Sequence, residues 1–333
     1  MKKALRILGW LLLGIVGLAI VAYGIAWGIA KSRYEKQWVA HTADFPIPFP
    51  LSDAELAALR DERIAGGASA EDPLAGMDLQ AIALSRAIER GEKIVASRTG
   101  CSGCHRKDFG GATLVESPLL GRWAAPNLTM GKGSVTLTYT ASDWDHAVRH
   151  GLRQNGRTSS MPAVEFINLS DRELSDIVAF IRSKPPVDRQ MGTMRYGPVF
   201  AFVFAAAPDY VVAFSVDHQK GHAREPPQTA PTAQFGEHLV QVCRGCHGPG
   251  LSGGKIQGDP EMPIVANLTP HETGLKDWTE TDFIRALREG KRKDGTAISE
   301  YMPWKAYGQM SDDELKAIYA YLRTVPPKPK GNR

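Results

Sequence analysis

Cys101-Ser102-Gly103-Cys104-His105 and Cys243-Arg244-Gly245-Cys246-His247 are the stretches on which the reading of this chain turns, and together they use all 4 of its cysteines. Two thiols three residues apart on one helical turn can each form a thioether to a vinyl group of haem, and the histidine that follows can reach the iron. The spacing is therefore the attachment signal for c-type haem, present twice. Two Cys-x-x-Cys pairs can also close one tetrahedral zinc site, but the duplicated histidine and the long separation of the pairs argue against it. A thioredoxin-like dithiol fits less well still, since no βαβ pattern surrounds either pair.

Working outward from the motifs, the chain matches itself. Gly91-Glu92-Lys93-Ile94-Val95 precedes the first motif as Gly236-Glu237-His238-Leu239-Val240 precedes the second, and Asn127-Leu128-Thr129 returns as Asn267-Leu268-Thr269. Asp143-Trp144 with Ala147-Val148-Arg149 reappears as Asp282-Phe283 with Ala286-Leu287-Arg288, and Met161-Pro162 as Met302-Pro303. Each half closes on a helix start of capping-box form, Ser170 with Glu173 or Ser311 with Glu314. Leu174, Ile177 and Ile181 in one half, and Leu315, Ile318 and Leu322 in the other, keep helical spacing up to a proline pair. An internal repeat of this kind predicts two copies of one structural unit, in keeping with the two domains expected of 333 residues.

Residues 7–30 carry no charge, and as helix they would rise roughly 36 Å, enough to cross a hydrocarbon core of about 30 Å. One membrane span is expected. The apolar region of a secretory signal peptide would be shorter, about 7–15 residues, although the sequence leaves cleavage open. Basic residues flank the span on both sides, so charge alone does not orient it. The net charge of +4 gives a mildly basic surface that haem propionates would offset. No basic run interleaved with aromatics points to nucleic acid. The apolar stretch 198–207 is too short to span and is read as core or interfacial packing.

At these residues the chain resembles the class I c-type cytochromes, specifically membrane-anchored bacterial proteins with tandem haem domains. It is similar to the haem domains of alcohol and gluconate dehydrogenase cytochrome subunits, with their A-N-L-T, D-F-x-x-A-L-R-x-G and M-P-W patterns. Those subunits have three haem motifs and this chain has two. The resemblance implies an all-α fold of two tandem cytochrome c domains behind one N-terminal transmembrane helix. It also implies two covalent haem c groups on Cys101, Cys104, Cys243 and Cys246, with His105 and His247 as iron ligands. Attachment on the periplasmic side would place the bulk of the chain outside the bacterial cytoplasmic membrane, with a short basic tail inside. The family's crossing of two helices at a glycine and an aromatic fits Gly91 with Phe180 and Gly236 with Tyr321. Pro126 and Ala266 fall where the carbonyl partner of the proximal imidazole is expected, and Tyr139 and Trp278 align as propionate donors.

Methionine as sixth ligand raises the potential of a haem relative to a second histidine. Met161 and Met302 share their proline and their place in the repeat, and are expected to close the two irons. His146 and His150 are alternatives for the first iron, but the second half has Arg285 and Glu289 at their positions. His41, His218, His222, His238 and His271 are read as exposed or structural. The division expected is a cytoplasmic tail and transmembrane helix (1–30), a proline-containing membrane-proximal linker (31–78), the first cytochrome c domain (79–187), an inter-domain linker (188–232) closing in a proline-rich tether, the second domain (233–328) and a tail (329–333). The functional expectation is a carrier of single electrons and not an enzyme. A dehydrogenase or quinol-oxidising complex would be its donor, an oxidase or soluble cytochrome its acceptor, and it could serve as the cytochrome subunit of a dehydrogenase complex. The alternative is a dihaem peroxidase-type enzyme, which needs one iron open to peroxide.

Overall fold

A computed structural model describes residues 2–256 and 262–331. The chain opens with helix α1 (Lys2–Glu35), whose apolar side chains from Leu5 to Ile25 stand exposed along most of its length. Helix α2 (Asp53–Ala65) follows, started by the expected capping box of Ser52 and Glu55. The first haem-motif unit has α3 (Leu79–Ile94), α4 (Cys101–His105), α5 (Ala141–Val148) and α6 (Asp171–Arg182). After α7 (Pro198–Ala206) comes the second, with α8 (Ala233–Leu239), α9 (Gln241–His247), α10 (Glu280–Glu289), α11 (Trp304–Tyr307) and α12 (Asp312–Leu322). Capping boxes start α6 and α12 as expected, and Thr140 with Asp143 and Thr279 with Asp282 form two more at α5 and α10.

In each unit the first helix crosses the last at a glycine. A Cβ on Gly91 would run into the Asp176 carbonyl and come within 2.8 Å of Phe180 Cβ; one on Gly236 would meet the Ala317 carbonyl and come within 2.8 Å of Tyr321 Cβ. Around these crossings lie two apolar cores. One holds Ile94, Phe109, Trp144, Leu174, Phe180 and Ile181; the other holds Phe235, Leu239, Phe283, Met310, Leu315 and Leu322.

The fold is mainly helical, and the expectation of an all-α chain needs correction. A three-stranded antiparallel sheet of β1 (Ala112–Ser117), β2 (Gly121–Ala125) and β3 (Arg195–Tyr196) lies beside the first unit in the order β1-β2-β3. Ser117 pairs with Gly121 at the hairpin end, and Gly121 pairs in turn with Tyr196. Gly121 has φ +88°, a left-handed conformation that glycine adopts without strain, which lets the chain double back. Among the described residues, the second unit has at the matching place an isolated bridge, Gly254 with Val265. The stretch between the motif histidine and the Asn-x-Thr triplet is nearly equal in length in the two halves, so following the repeat alone passes over the hairpin.

The stretches expected to act as linkers are packed onto the first unit. Phe45 and Phe49 are buried in its core, Ser175 Oγ donates to the Pro46 carbonyl (2.8 Å), and Arg90 of α3 pairs with Glu55 of α2 (2.7 Å). Downstream, the amides of Asp171 and Arg172 donate to the carbonyls of Ala223 (2.9 Å) and Arg224 (3.1 Å). The first turn of a helix has amides without intrahelical partners, and an extended proline-rich strand offers carbonyls free to accept from them. The segment 223–231 therefore begins as a strap across the start of α6 and is not a free tether. Helix α7 packs on the end of α1, where Ala30, Phe204 and Val211 form a third small core and Arg33 Nη1 donates to the carbonyls of Phe204 (2.6 Å) and Ala205 (2.9 Å).

Candidate haem-binding sites

Helix α3 runs into a π-helical turn (Val95–Thr99), and Gly100, left-handed at φ 58°, turns the chain into α4. This places Cys101 and His105 at the inner end of the unit, with His105 buried. His105 Nδ1 lies 2.9 Å from the Pro126 carbonyl and His247 Nδ1 2.7 Å from that of Ala266, the two partners expected. A carbonyl only accepts, so Nδ1 carries the proton in both rings and Nε2 keeps a lone pair for a metal. Burial also pushes the His105 pKa down, favouring the neutral imidazole a metal requires.

The repeated Asn-x-Thr triplet explains why those carbonyls are held in place. Asn127 Oδ1 accepts from the amide and hydroxyl of Thr129 (both 2.9 Å), while its Nδ2 donates to the Val187 carbonyl (2.6 Å). Asn267 does the same with Thr269 (2.9 and 2.8 Å) and the Lys328 carbonyl (2.7 Å). Each asparagine thus fastens the turn after the Pro126 or Ala266 carbonyl to the chain that leaves the unit's last helix.

Cys243, Cys246, His247 and Met302 line one cavity of about 780 Å³, with Trp278, Tyr307 and Met310 in its wall. That volume is within the range of cofactor sites. Cys101, His105 and Met161 line a narrower space of about 30 Å³, walled by Leu128, Trp144 and Ile177 among others. Cys104 is exposed on α4, outside this lining. Burial pushes the Cys243 thiol up to about 12 and raises those of Cys101 and Cys104, so these are neutral thiols and not reactive thiolates. Thiols, an imidazole protonated at Nδ1 and a thioether facing apolar space form the donor set a c-type haem takes, and in the second unit the room matches as well. The second site fits the group in donors and in room, and the first in its donors.

The two proposed propionate donors part company. Trp278 is in the wall of the second cavity, whereas Tyr139 stands edge-on to Trp144 (ring centres 5.5 Å apart) and Trp144 faces the first cavity. Trp144 Nε1 is buried without a partner, the kind of donor an acidic group would satisfy. Its signal in the sequence is the repeat itself, which puts an indole where the other half has Phe283. His146 and His150 do not line the cavity; they face a separate cluster of histidines.

The sites adjoin. Glu165, just past Met161-Pro162, reaches the wall of the second cavity, and a Cβ on Gly245 of the second motif would meet its Oε1 and come within 2.9 Å of its Cδ. Burial raises the Glu165 pKa, and its charge contributes to raising the thiols of both Cys104 and Cys243. Gln241 Nε2 donates to the Val164 carbonyl (2.7 Å) across the same seam.

Residues 88–185 match the family model for cytochrome c, and residues 230–322 match that for cytochrome c oxidase, cbb3-type, subunit III. With both haem-motif units accounted for, the chain belongs to the c-type cytochromes and carries two covalently bound haem c groups. Among curated relatives, the cytochrome c subunit of the quinone alcohol dehydrogenase of Gluconobacter oxydans is 28% identical over 282 residues, 73% of this chain and 56% of the relative. A dihaem c-type cytochrome of Cereibacter sphaeroides is 25% identical over 280 residues, 73% of this chain and 87% of the relative. The fructose dehydrogenase cytochrome subunit of Gluconobacter japonicus is 33% identical over 143 residues, 39% of this chain and 29% of the relative. The chain thus spans a little over half the length of the alcohol dehydrogenase subunits it matches.

Proposed function

We propose that this protein is a membrane-anchored carrier that takes single electrons from a periplasmic dehydrogenase and passes them to a further redox protein of a respiratory chain. The observation that carries this reading is the duplicated donor set: each half turns cysteine, an imidazole locked by a backbone carbonyl, and the methionine of a Met-Pro pair toward one apolar space. Cys101 and Cys104 would hold one haem and Cys243 and Cys246 the other, with His105 and Met161, and His247 and Met302, as axial ligands. Each bound haem supplies an iron that cycles between Fe(II) and Fe(III). The protein's own part is to keep both irons closed and dry, to fix each imidazole through Pro126 or Ala266, and to hold the two sites against each other through Glu165, Val164 and Gln241. Trp278, and Trp144 in place of Tyr139, are the donors proposed for propionates.

Anchoring by α1 in a bacterial cytoplasmic membrane is supported by its length and by its exposed apolar surface over Lys3–Glu35. The haem domains would then be periplasmic, as covalent haem attachment requires in the bacterial cytochromes the chain resembles. A dehydrogenase as donor is supported by the names of the relatives. The test is an absorption spectrum of the reduced holoprotein with and without carbon monoxide, on a sample with its haem-to-protein ratio measured. Two low-spin haems indifferent to carbon monoxide are expected. Rapid binding at one haem would replace the carrier with a peroxidase-type enzyme.

A further inference from the structure

Away from both haem cavities, histidines from three separate segments meet at one aspartate. His41 comes from the stretch after α1, Asp145 from α5, His150 from just beyond α5, and His222 from the strap before α8. One ligand atom from each of the four residues lies within 4.8 Å of every other. Asp145 and His150 are fully buried, the His222 side chain is 2% exposed and that of His41 21%. His41 Nε2 and His150 Nε2 each lie 3.6 Å from Asp145 Oδ2, His222 Nε2 lies 3.6 Å from Oδ1, and the His150 and His222 Nε2 atoms are 3.2 Å apart.

Three features point to a ligand. Asp145 Oδ2 is buried, has no hydrogen-bond partner among the described residues and faces the imidazoles, because Arg149 Nε occupies Oδ1 (2.6 Å). Arg149 is itself engaged by Asp171 (2.9 Å) and the Leu169 carbonyl (2.9 Å), so its charge is not aimed solely at the cluster. Next, outer partners set the tautomers. His218 Nε2 donates to the Ala213 carbonyl (2.8 Å), which leaves His218 Nδ1 to accept from His150 Nδ1 (3.4 Å) and frees His150 Nε2. His222 has the Ile167 carbonyl as its backbone partner, and its Nε2 is the atom turned to the cluster. A histidine whose far nitrogen donates to a carbonyl or to a second acceptor is the usual arrangement of a metal ligand. Last, the spacing is close: the four distances of 3.2–3.6 Å bracket the ligand-to-ligand edges of about 3.3–3.4 Å in a tetrahedral ion with bonds of about 2.0–2.1 Å.

We propose that His41, Asp145, His150 and His222 bind a divalent transition-metal ion, with Zn²⁺ the best fit, as a structural staple distinct from the haem irons. Three imidazoles and one carboxylate with no position left open suit zinc and favour a structural over a catalytic site. Burial, reinforced by the neighbouring histidines, presses His150 down to about 3, and burial with Arg149 does the same for His222, so both rings are neutral and ready to ligate. The ion would tie the stretch after α1, the first haem unit and the strap leading to the second into one body, and the partly exposed His41 gives it a way in.

The test uses full-length haem-loaded protein in detergent, dialysed against EDTA and then equilibrated with Zn²⁺ alone. Elemental analysis should find one zinc for every two irons, and X-ray absorption at the zinc edge should show only nitrogen and oxygen ligands at about 2.0–2.1 Å. His150→Ala and Asp145→Asn should weaken zinc binding beyond the roughly 10- to 100-fold that losing an outer partner costs, while His271→Ala leaves it unchanged. His41→Gln, at the exposed rim, is the variant to read if the buried ones lose haem. Zinc retained equally by His41→Gln and wild type, sulfur or six-oxygen coordination at the edge, or no zinc held against EDTA-free buffer exchange would each overturn the proposal in favour of a proton-sharing histidine network.

Discussion

Glu173→Gln would remove a buried charge at the seam between the units on which Ser170, Arg98 and His238 all converge. Glu173 is the third residue of α6, and its Oε2 accepts from the Ser170 amide (2.8 Å) and hydroxyl (2.9 Å). Its Oε1 pairs with Arg98 Nη1 (2.8 Å), from the turn before the first haem motif, and His238 Nε2 of α8 lies 2.9 Å from Oε2. The three side chains are 5%, 9% and 9% exposed. Burial alone would raise the Glu173 pKa, but Arg98 and His238 outweigh it and hold the carboxyl well below the usual range. Glutamine keeps an oxygen for Ser170, so the helix cap survives. Arg98 is left buried without its countercharge, a loss of about 3–5 kcal/mol. For a unit of about 100 residues that lowers Tm by roughly 12–24 °C, reading the low end of the energy range.

Thermal unfolding of the haem-loaded protein at pH 7, followed by circular dichroism, measures this as a shift of the first transition. Glu300→Gln, which breaks the exposed Lys305 pair, is the control and should shift Tm little. Since the folded pKa of Glu173 is depressed, its contribution is present above the unfolded value near 4.5 and fades as pH falls through the acid range, so the gap to wild type should narrow below pH 4.5. Removing the stranded charge as well, in Glu173→Gln with Arg98→Met, should recover part of the loss. A shift no larger than the control's, or strict additivity in the double variant, refutes the reasoning.

Gly236→Ala places a Cβ against the Ala317 carbonyl, which belongs to helix backbone and cannot swing away; about 3 kcal/mol should be lost, seen as a fall in the melting temperature of the second unit, with Gly221→Ala, where nothing lies within 4 Å, neutral. Met302→Ala should lower the potential of one haem and open it to carbon monoxide, leaving the other nearly unchanged in a spectroelectrochemical titration; large shifts in both would contradict independent sites. In metal-free protein, His150 and His222, at about 3 when folded against 6.5 unfolded, give an unfolded state that binds more protons below pH 6.5. Stability should therefore drop by about 2 kcal/mol for each ring, or at most about 4 kcal/mol for the pair, between pH 7.5 and 5, a slope that His222→Gln roughly halves and that a pH-independent Tm would exclude.

What the sequence reveals here is what is local and duplicated. The haem motifs, the carbonyl partners Pro126 and Ala266, the Gly91 and Gly236 crossings and the Met-Pro pairs each occur twice at matched places, so each copy vouches for the other. What escapes is what occurs once. The β1–β2 hairpin has no counterpart among the described residues, and its alternating Val115 and Trp123 are too few to stand out. Phe45 and Phe49 lie among prolines that signal an extended chain, and extension says nothing about whether the chain is free or laid on a surface. The histidine cluster draws on positions 41, 145, 150 and 222, and only the middle two are near in sequence. Nothing in their spacing foretells that a strap and the stretch after α1 converge on α5.

These single-copy features account for an asymmetry between two otherwise repeated halves. The first unit is clamped by α2 through Glu55 and Arg90, by the strap through Asp171 and Arg172, and by the histidine cluster through His41 and His222. The second leans on it through a smaller set of contacts, prominently Gln241 with Val164, His238 with Glu173, and Glu165 against Gly245. Residues adjoining the first haem's proposed ligands thus double as the seat of the second motif: Arg98 precedes Cys101, and Val164 and Glu165 follow Met161. A carrier whose two irons exchange electrons needs their separation fixed more than it needs either site rigid. In this chain that separation would be set at the seam by the backbone that flanks both of the first iron's proposed ligands, so a loosened seam should slow exchange between the haems before it alters the potential of either.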